Sequence, residues 1–233
     1  MDMLRSAQIA GTGLTDWRKL AQGLHARWLV GGFSAGARFV VAVGEAADAV
    51  GHHPTVSLGA GHVDLKLSSA DAIYRDDEGT EYVVEWVTQQ DVDLARRISE
   101  VAAEHGLVAD PGAVSVVELG LDVAASAAVA PVWAALLTGD PEAQGRGTPG
   151  DEVRDDTGRV PNLWFGDAPD EANRQRFHVE VYVAPEVAAG RIAAAVAAGG
   201  KVVGGDEPGL TVIADPEGNT GVVCVDTEAA ATG

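Results

Sequence analysis

The chain has a single cysteine, Cys224, so it cannot close a disulfide within itself, and the apolar run VVCVD around it reads as a buried strand. Aromatic residues are equally sparse at 5%, which leaves packing to Ala, Val, Leu and Gly. The 46% hydrophobic content nonetheless excludes bulk disorder. Positive charge is scarce too: 16 lysines and arginines face 35 aspartates and glutamates, for a net charge of −19. Phosphate backbones and anionic membranes are held by cationic patches, so neither nucleic acid nor membrane is an expected partner. No run of about 18 apolar residues and no charged, apolar leader occurs, and the expected location is the cytoplasm. A length of 233 residues suits two domains. The turn-rich break at Ala109-Asp110-Pro111-Gly112 places them at 1–108 and 113–229.

Of six histidines, two are adjacent, in the stretch VGHHP that ends at Pro54. Before them, WRKLAQ and LHARWLV alternate apolar and polar residues around Gln22-Gly23, the pattern of a β-hairpin. A helix follows, with Ser34 as candidate cap and Phe39, Val43, Ala46 or Ala47, and Val50 at helical spacing; Gly51 suits the left-handed position that ends it. The pair therefore lies just past a helix C-terminus. Downstream, HVDLKL alternates so that Val63, Leu65 and Leu67 share one face. AIYR, DDEG and TEYVVEW predict a second hairpin. TQQDVDLARRISEVAAEHG predicts a helix capped by Thr88 and ended by Gly106.

Histidine titrates near neutral pH and is the commonest acid or base of proton-transfer sites. Asp48 and the negative end of the helix lie beside the pair, surroundings that suit a proton-donating imidazolium. Neighbours on an extended segment point to opposite sides, so His52 and His53 have different surroundings. A metal trio of these two with His62 has no geometry imposed by the sequence. Asp91, near a helix start, serves equally as an amide acceptor or a site residue.

LTDWRKL, LHARWLV, FSAGARFVVAVGEAADAVGHHP, GHVDLKL and QQDVDLARRIS together resemble pterin-4a-carbinolamine dehydratase. The core of that family's motif, an acidic residue four before His-His-Pro, is met by Asp48, His52, His53 and Pro54. The resemblance implies an α+β fold, an antiparallel sheet with helices on one face, assembled as a homo-oligomer. It further implies loss of water from a pterin carbinolamine, a small-molecule substrate. His52 and His53 would be the catalytic residues, and Asp48, Pro54, Asp91 and Trp86 would contact the substrate. The family's third histidine falls on Ala70 and an upstream aromatic on Ala60, and the hairpin around Asp76 to Glu85 is an insertion. Tyr74, Tyr82, Glu85 or Trp86 would be the groups to fold back into the vacated space. Trp17, like Trp86, otherwise reads as packing.

In the second half, a strand leading into a helix occurs twice: VVELGLDV before AASAAVAPVWAALLTG, and RFHVEVYV before PEVAAGRIAAAVAAGG. This aligns Glu118 with His178. Gly139 to Arg159 reads as a mobile loop, and Trp133 and Trp164 as core. PVWAALLTGD, PNLWF, RFHVEVYV, GRIAAAVAAGGKVV and DPEGN before VVCV, in this order, resemble a glyoxalase-like domain of the vicinal oxygen chelate superfamily. That implies two βαβββ modules forming a cup, with Glu118 and His178 lining its pocket. Val222 and the Phe165-Gly166 region offer no ligands to complete a metal site, so no metal and no cofactor are expected. DPEGN reads as a turn, with Gly218 supplying its unusual backbone angle. The alternatives to a dehydratase are a non-catalytic ligand-binding or assembly protein, and a tailoring enzyme of specialised metabolism that uses the cup.

Overall fold

The computed structural model describes residues 1–123, 125–138, 140–145, 152–155, 158, 160–167, 177–214 and 220–226. It is an α+β protein whose contacts divide into two units, one of Met1–Val114 with Asp226 and one of Ser115–Val225. No helix among the described residues is long and apolar enough to cross a membrane.

The first unit begins with a short helix, α1 (Ser6–Ala10), and the hairpin β1 (Arg18–Leu20) and β2 (Gly23–Leu29). Helix α2 (Phe33–Asp48) follows, then β3 (Thr55–Leu58) and β4 (His62–Leu67). The hairpin β5 (Ser69–Arg75) and β6 (Glu81–Trp86), helix α3 (Gln89–Glu104) and β7 (Val108–Ala109) complete it. The main sheet runs β1-β2-β4-β3 with β7 beside β2, and all its pairs are antiparallel. β5 and β6 form a separate two-stranded sheet.

Alternation along the strands decides which face is covered. Leu24, Ala26 and Trp28 of β2 and Val63, Leu65 and Leu67 of β4 are buried with Phe39, Val43 and Ala47 of α2 and Val92, Ala95, Ile98, Val101 and Ala102 of α3. Trp28 meets Trp17 and Phe39 edge-on, with ring centroids 5.2 and 5.5 Å away, so Trp17 is a core residue. The opposite face is polar: Arg27 donates two hydrogen bonds of 2.6 Å to Asp64 across β2 and β4.

Two expectations for α2 change. Its cap is Gly32, not Ser34, because φ 146 and ψ 169 at residue 32 form a backbone turn that glycine alone adopts without strain, and this starts the helix ahead of Ser34. Val50 is exposed and lies outside the apolar stripe, because the helix stops at Asp48. Gly51, at φ 66, is left-handed as expected. The His52 amide donates to Ala47 O and the Gly51 amide to Asp48 O, which closes the helix in a Schellman turn.

The second unit is one mixed sheet in the order β12-β13-β14-β11-β8-β10-β9. Its elements are β8 (Ser115–Val123), α4 (Ser126–Thr138), β9 (Glu152–Val153), β10 (Leu163–Asp167), β11 (Phe177–Val183), α5 (Pro185–Ala197), β12 (Lys201–Gly204), β13 (Leu210–Ala214) and β14 (Thr220–Cys224). β11 to β14 make a full βαβββ module. In the other module an isolated bridge from Gln144 to Val153 stands where its second strand would run, among the described residues. Each opening strand lies parallel to the last strand of its own module, β8 with β10 and β11 with β14, while β8 and β11 pair antiparallel at the centre. Glu152–Val153 pairs with β10, so the described part of the expected loop from residue 139 to 159 includes a strand. The DPEGN segment with Gly218 lies outside the described residues.

Candidate active site

His52 and His53 follow the α2 turn on an extended segment that Pro54 keeps extended, since proline disfavours a helical conformation at the residue before it. The two rings diverge. His52 turns inward, its side chain 14% exposed, with Nε2 2.7 Å from Asp91 Oδ1. His53 stays in solvent at 58%, with Nε2 2.8 Å from Asp48 Oδ1.

Asp91 is fully buried at the third position of α3. Its Oδ2 accepts the Thr88 amide at 2.8 Å, the Thr88 hydroxyl at 3.0 Å and the Ser69 hydroxyl at 2.8 Å. With His52 on Oδ1, four donors occupy the roughly four lone-pair positions of one carboxyl group, the pattern of a carboxylate and not of an acid. One oxygen of Asp91 therefore joins the helix cap while the other meets the His52 imidazole. Because a carboxylate only accepts, this network places a proton on His52 Nε2, and in the neutral ring the lone pair is then on Nδ1.

His62 is not brought to the pair. Its ring lies over Gly59, where an added Cβ would sit 2.7 Å from Cε1, and its Nε2 is 3.8 Å from Asp64. Among the described residues, no three His, Cys, Asp or Glu side chains are grouped closely enough to hold a metal ion.

Ala70 is exposed and sits in a β-bulge. Ser69 pairs with Trp86 and Ala72 with Val84, so β5 carries one residue more than β6 across this stretch. The hairpin side chains have their own contacts. The Trp86 indole N–H donates to Leu4 O at 2.9 Å, and the Lys19 ammonium lies 4.0 Å over its ring. Tyr74 and Tyr82 pair at 6.1 Å. Glu85 Oε1 accepts from Lys66 and from Ser68, both at 2.6 Å. At the turn, the Thr80 and Glu78 amides donate to Asp76 and hold its carboxyl below the usual range. His25, opposite Lys66 in the register, was not singled out from the sequence. Burial, with Lys66 and Lys19 adding to it, lowers its imidazole to about 3.

In the second unit, Glu118 and His178 share one face of the sheet, but the register puts Glu180, not His178, directly opposite Glu118. His178 lies opposite Gly120, and its ring fills the space a side chain there would take: a Cβ on Gly120 would be 2.4 Å from Cε1 and Nε2. The Trp164 ring meets His178 edge-on at 4.9 Å, on the same polar face and not in the core. Trp133 is partly buried against the apolar cluster of Leu121, Ala134, Val153 and Leu163. The Tyr182 hydroxyl donates to Glu180 at 3.1 Å. Burial, reinforced by Glu180 and Glu118, raises Tyr182 above the usual tyrosine range and pushes Cys224 up to about 12. Glu180 and Tyr182 are legible after the fact, since they share the period-2 face of β11 with His178.

Residues 3–101 match the family described as pterin 4 alpha carbinolamine dehydratase, and residues 118–224 match the family described as glyoxalase-like domain. A crystal structure of a transcriptional coactivator/pterin dehydratase from Brucella melitensis is similar to 43% of this chain and 99% of its own, at 21% identity and a TM-score of 0.35. No curated protein matches the chain. The chain thus carries a pterin 4 alpha carbinolamine dehydratase domain followed by a glyoxalase-like domain.

Proposed function

We propose that the first domain removes water from a 4a-hydroxytetrahydropterin or a closely related hydroxylated bicyclic substrate. The observation that carries this reading is the pair of unlike imidazoles: His52 inward on a buried carboxylate, His53 outward on an exposed one. The elimination needs a base at ring nitrogen 5 and an acid at the 4a hydroxyl. The electron pair of the N5–H bond becomes the new N5–C4a double bond, and the C4a–O bond breaks to release water. His52, with Nε2–H held by Asp91, offers Nδ1 to take the N5 proton. His53, on Asp48 and open to solvent, supplies the proton that leaves with the hydroxyl; His52 then gives the N5 proton to water and His53 is reprotonated from water. Each positioned group is worth about 10²–10⁴-fold.

Freshly generated 4a-hydroxytetrahydropterin, followed by ultraviolet absorbance, tests the reading. Acceleration by the purified chain that disappears in His52→Ala/His53→Ala supports it, and a rate equal to buffer overturns it. One observation favours a second reading: the bulged, exposed Ala70 offers no proton-transfer group where the family has its third histidine. Under that reading the domain binds a pterin without turning it over, and saturable binding with no acceleration is its signature.

A further inference from the structure

The buried carboxylate of Asp91 reaches the strand that opens the β5–β6 hairpin as well as His52. Ser69 is the first residue of β5, where the chain leaves the main sheet for the inserted hairpin, and its side chain is buried. Its hydroxyl is 2.8 Å from Asp91 Oδ2 and 2.9 Å from the Thr88 hydroxyl, which is itself 3.0 Å from the same oxygen. Three contacts thus join Ser69 Oγ, Thr88 Oγ1 and Asp91 Oδ2, but two hydroxyl protons serve them. Both protons reach the carboxylate only if the Ser69–Thr88 contact goes without one. A charged acceptor outbids a neutral hydroxyl, so both point at Oδ2.

We propose that Ser69 is a positioning residue for His52: its hydroxyl fixes the rotation of the Asp91 carboxylate, and so the direction in which Oδ1 holds the imidazole. Helix capping alone does not require it, since the Thr88 amide already meets Oδ2. Ser69 supplies a restraint from β5, a different element from the helix that carries Asp91. Asp91 is the ionic partner of His52 among the described residues, because His53 turns to Asp48. Rotation of Asp91 therefore acts directly on His52. Ser69 also belongs to the hairpin, pairing with Trp86 across β5 and β6, so the strand that leads into the insertion is tied to the site through its first side chain rather than through a replacement for the third histidine.

The inference rests on His52 being a proton-transfer residue, and the test reads the two apart. Nitrogen NMR of the His52 ring in the full chain reports which ring nitrogen carries the proton, whether or not turnover occurs. Wild type and Ser69→Thr are expected to show one form, protonated at Nε2. Ser69→Ala is expected to show a mixture of the two tautomers and a turnover lower by about tenfold, the worth of one hydrogen bond to a charged group, with Ser69→Thr restoring both. If Ser69→Ala fails to fold, Ser69→Cys, similar in shape but a weak donor, takes its place with the same expected mixture. An unchanged Nε2-protonated ring in the folded Ala or Cys variant overturns the proposal. Loss of the single tautomer together with no turnover in wild type upholds the Ser69 link and rejects the dehydratase reading.

Discussion

Asp91 Oδ1 and His52 Nε2 stand 2.7 Å apart although 39 positions separate them in the chain. The contact joins the start of α3 to the end of α2, whose packing is fixed by Phe39, Val43, Ile98 and Val101 in the shared core. Asp91→Asn keeps an oxygen for the Thr88 amide but faces His52 with an amide NH2, which donates and does not accept. Turnover is expected to fall about 10²–10⁴-fold while thermal unfolding stays within a few degrees of wild type. Asp91→Ala should lose the cap as well and about 1–3 kcal/mol of stability, readable as a lower urea midpoint.

His25 ties acid stability to the polar face of the first sheet. Its imidazole is lowered from 6.5 to about 3 by burial and by Lys66 and Lys19, so between those values the unfolded chain binds a proton that the folded chain refuses. The contribution is therefore complete above pH 6.5 and is lost as pH falls toward 3. Urea midpoints measured from pH 7 to pH 4 should drop less steeply for His25→Gln than for wild type, and parallel slopes would reject this account.

Gly120 is demanded by a neighbour's ring rather than by its own backbone. Its absent side chain leaves room for His178, and an added Cβ would also come within 2.9 Å of Trp164. Gly120→Ala should push the His178 ring off the sheet, cost about 1–3 kcal/mol, and change the Trp164 environment. A cooperative unfolding step of the second domain at lower denaturant, with altered tryptophan fluorescence in the native baseline, is the expected result.

Cys224 is buried on β14 and its thiol is pushed up to about 12. Thiolates, not thiols, attack disulfide reagents, so the native chain should leave Ellman's reagent unreacted for as long as it stays folded. In guanidinium chloride one thiol per chain should react at once; rapid labelling of the native protein would contradict the burial.

Much of the first domain is readable from alternation: Val63, Leu65 and Leu67 fall inward and His62, Asp64 and Lys66 outward, because one face of β4 has helices to cover it. Ser34 misleads because capping chemistry is local, whereas the turn at Gly32 follows from the path that the chain takes out of β2. The partnership of His52 and Asp91 has no signature in spacing, since it depends on how two helices pack. In the second domain, the similarity of two strands makes Glu118 and His178 equivalent positions, and which residues they face is set separately, by the antiparallel pairing of β8 and β11 at the centre of the sheet. That register puts Glu180 against Glu118 and His178 against Gly120. Trp164 reads as core by hydrophobicity alone, and alternation with the buried Leu163 would have sent it to the polar face.

The left-handed turn at Gly51 has a consequence for how His-His-Pro is to be compared between proteins. On an extended segment, a slip of one residue exchanges the inward and outward positions. A helix end one residue longer would hand the buried carboxylate to His53 and leave His52 in solvent, with every letter of the motif unchanged. The difference in surroundings between two identical side chains is thus encoded outside them, in the residue that stops the helix, and a motif match that ignores Gly51 counts the histidines without knowing which is which.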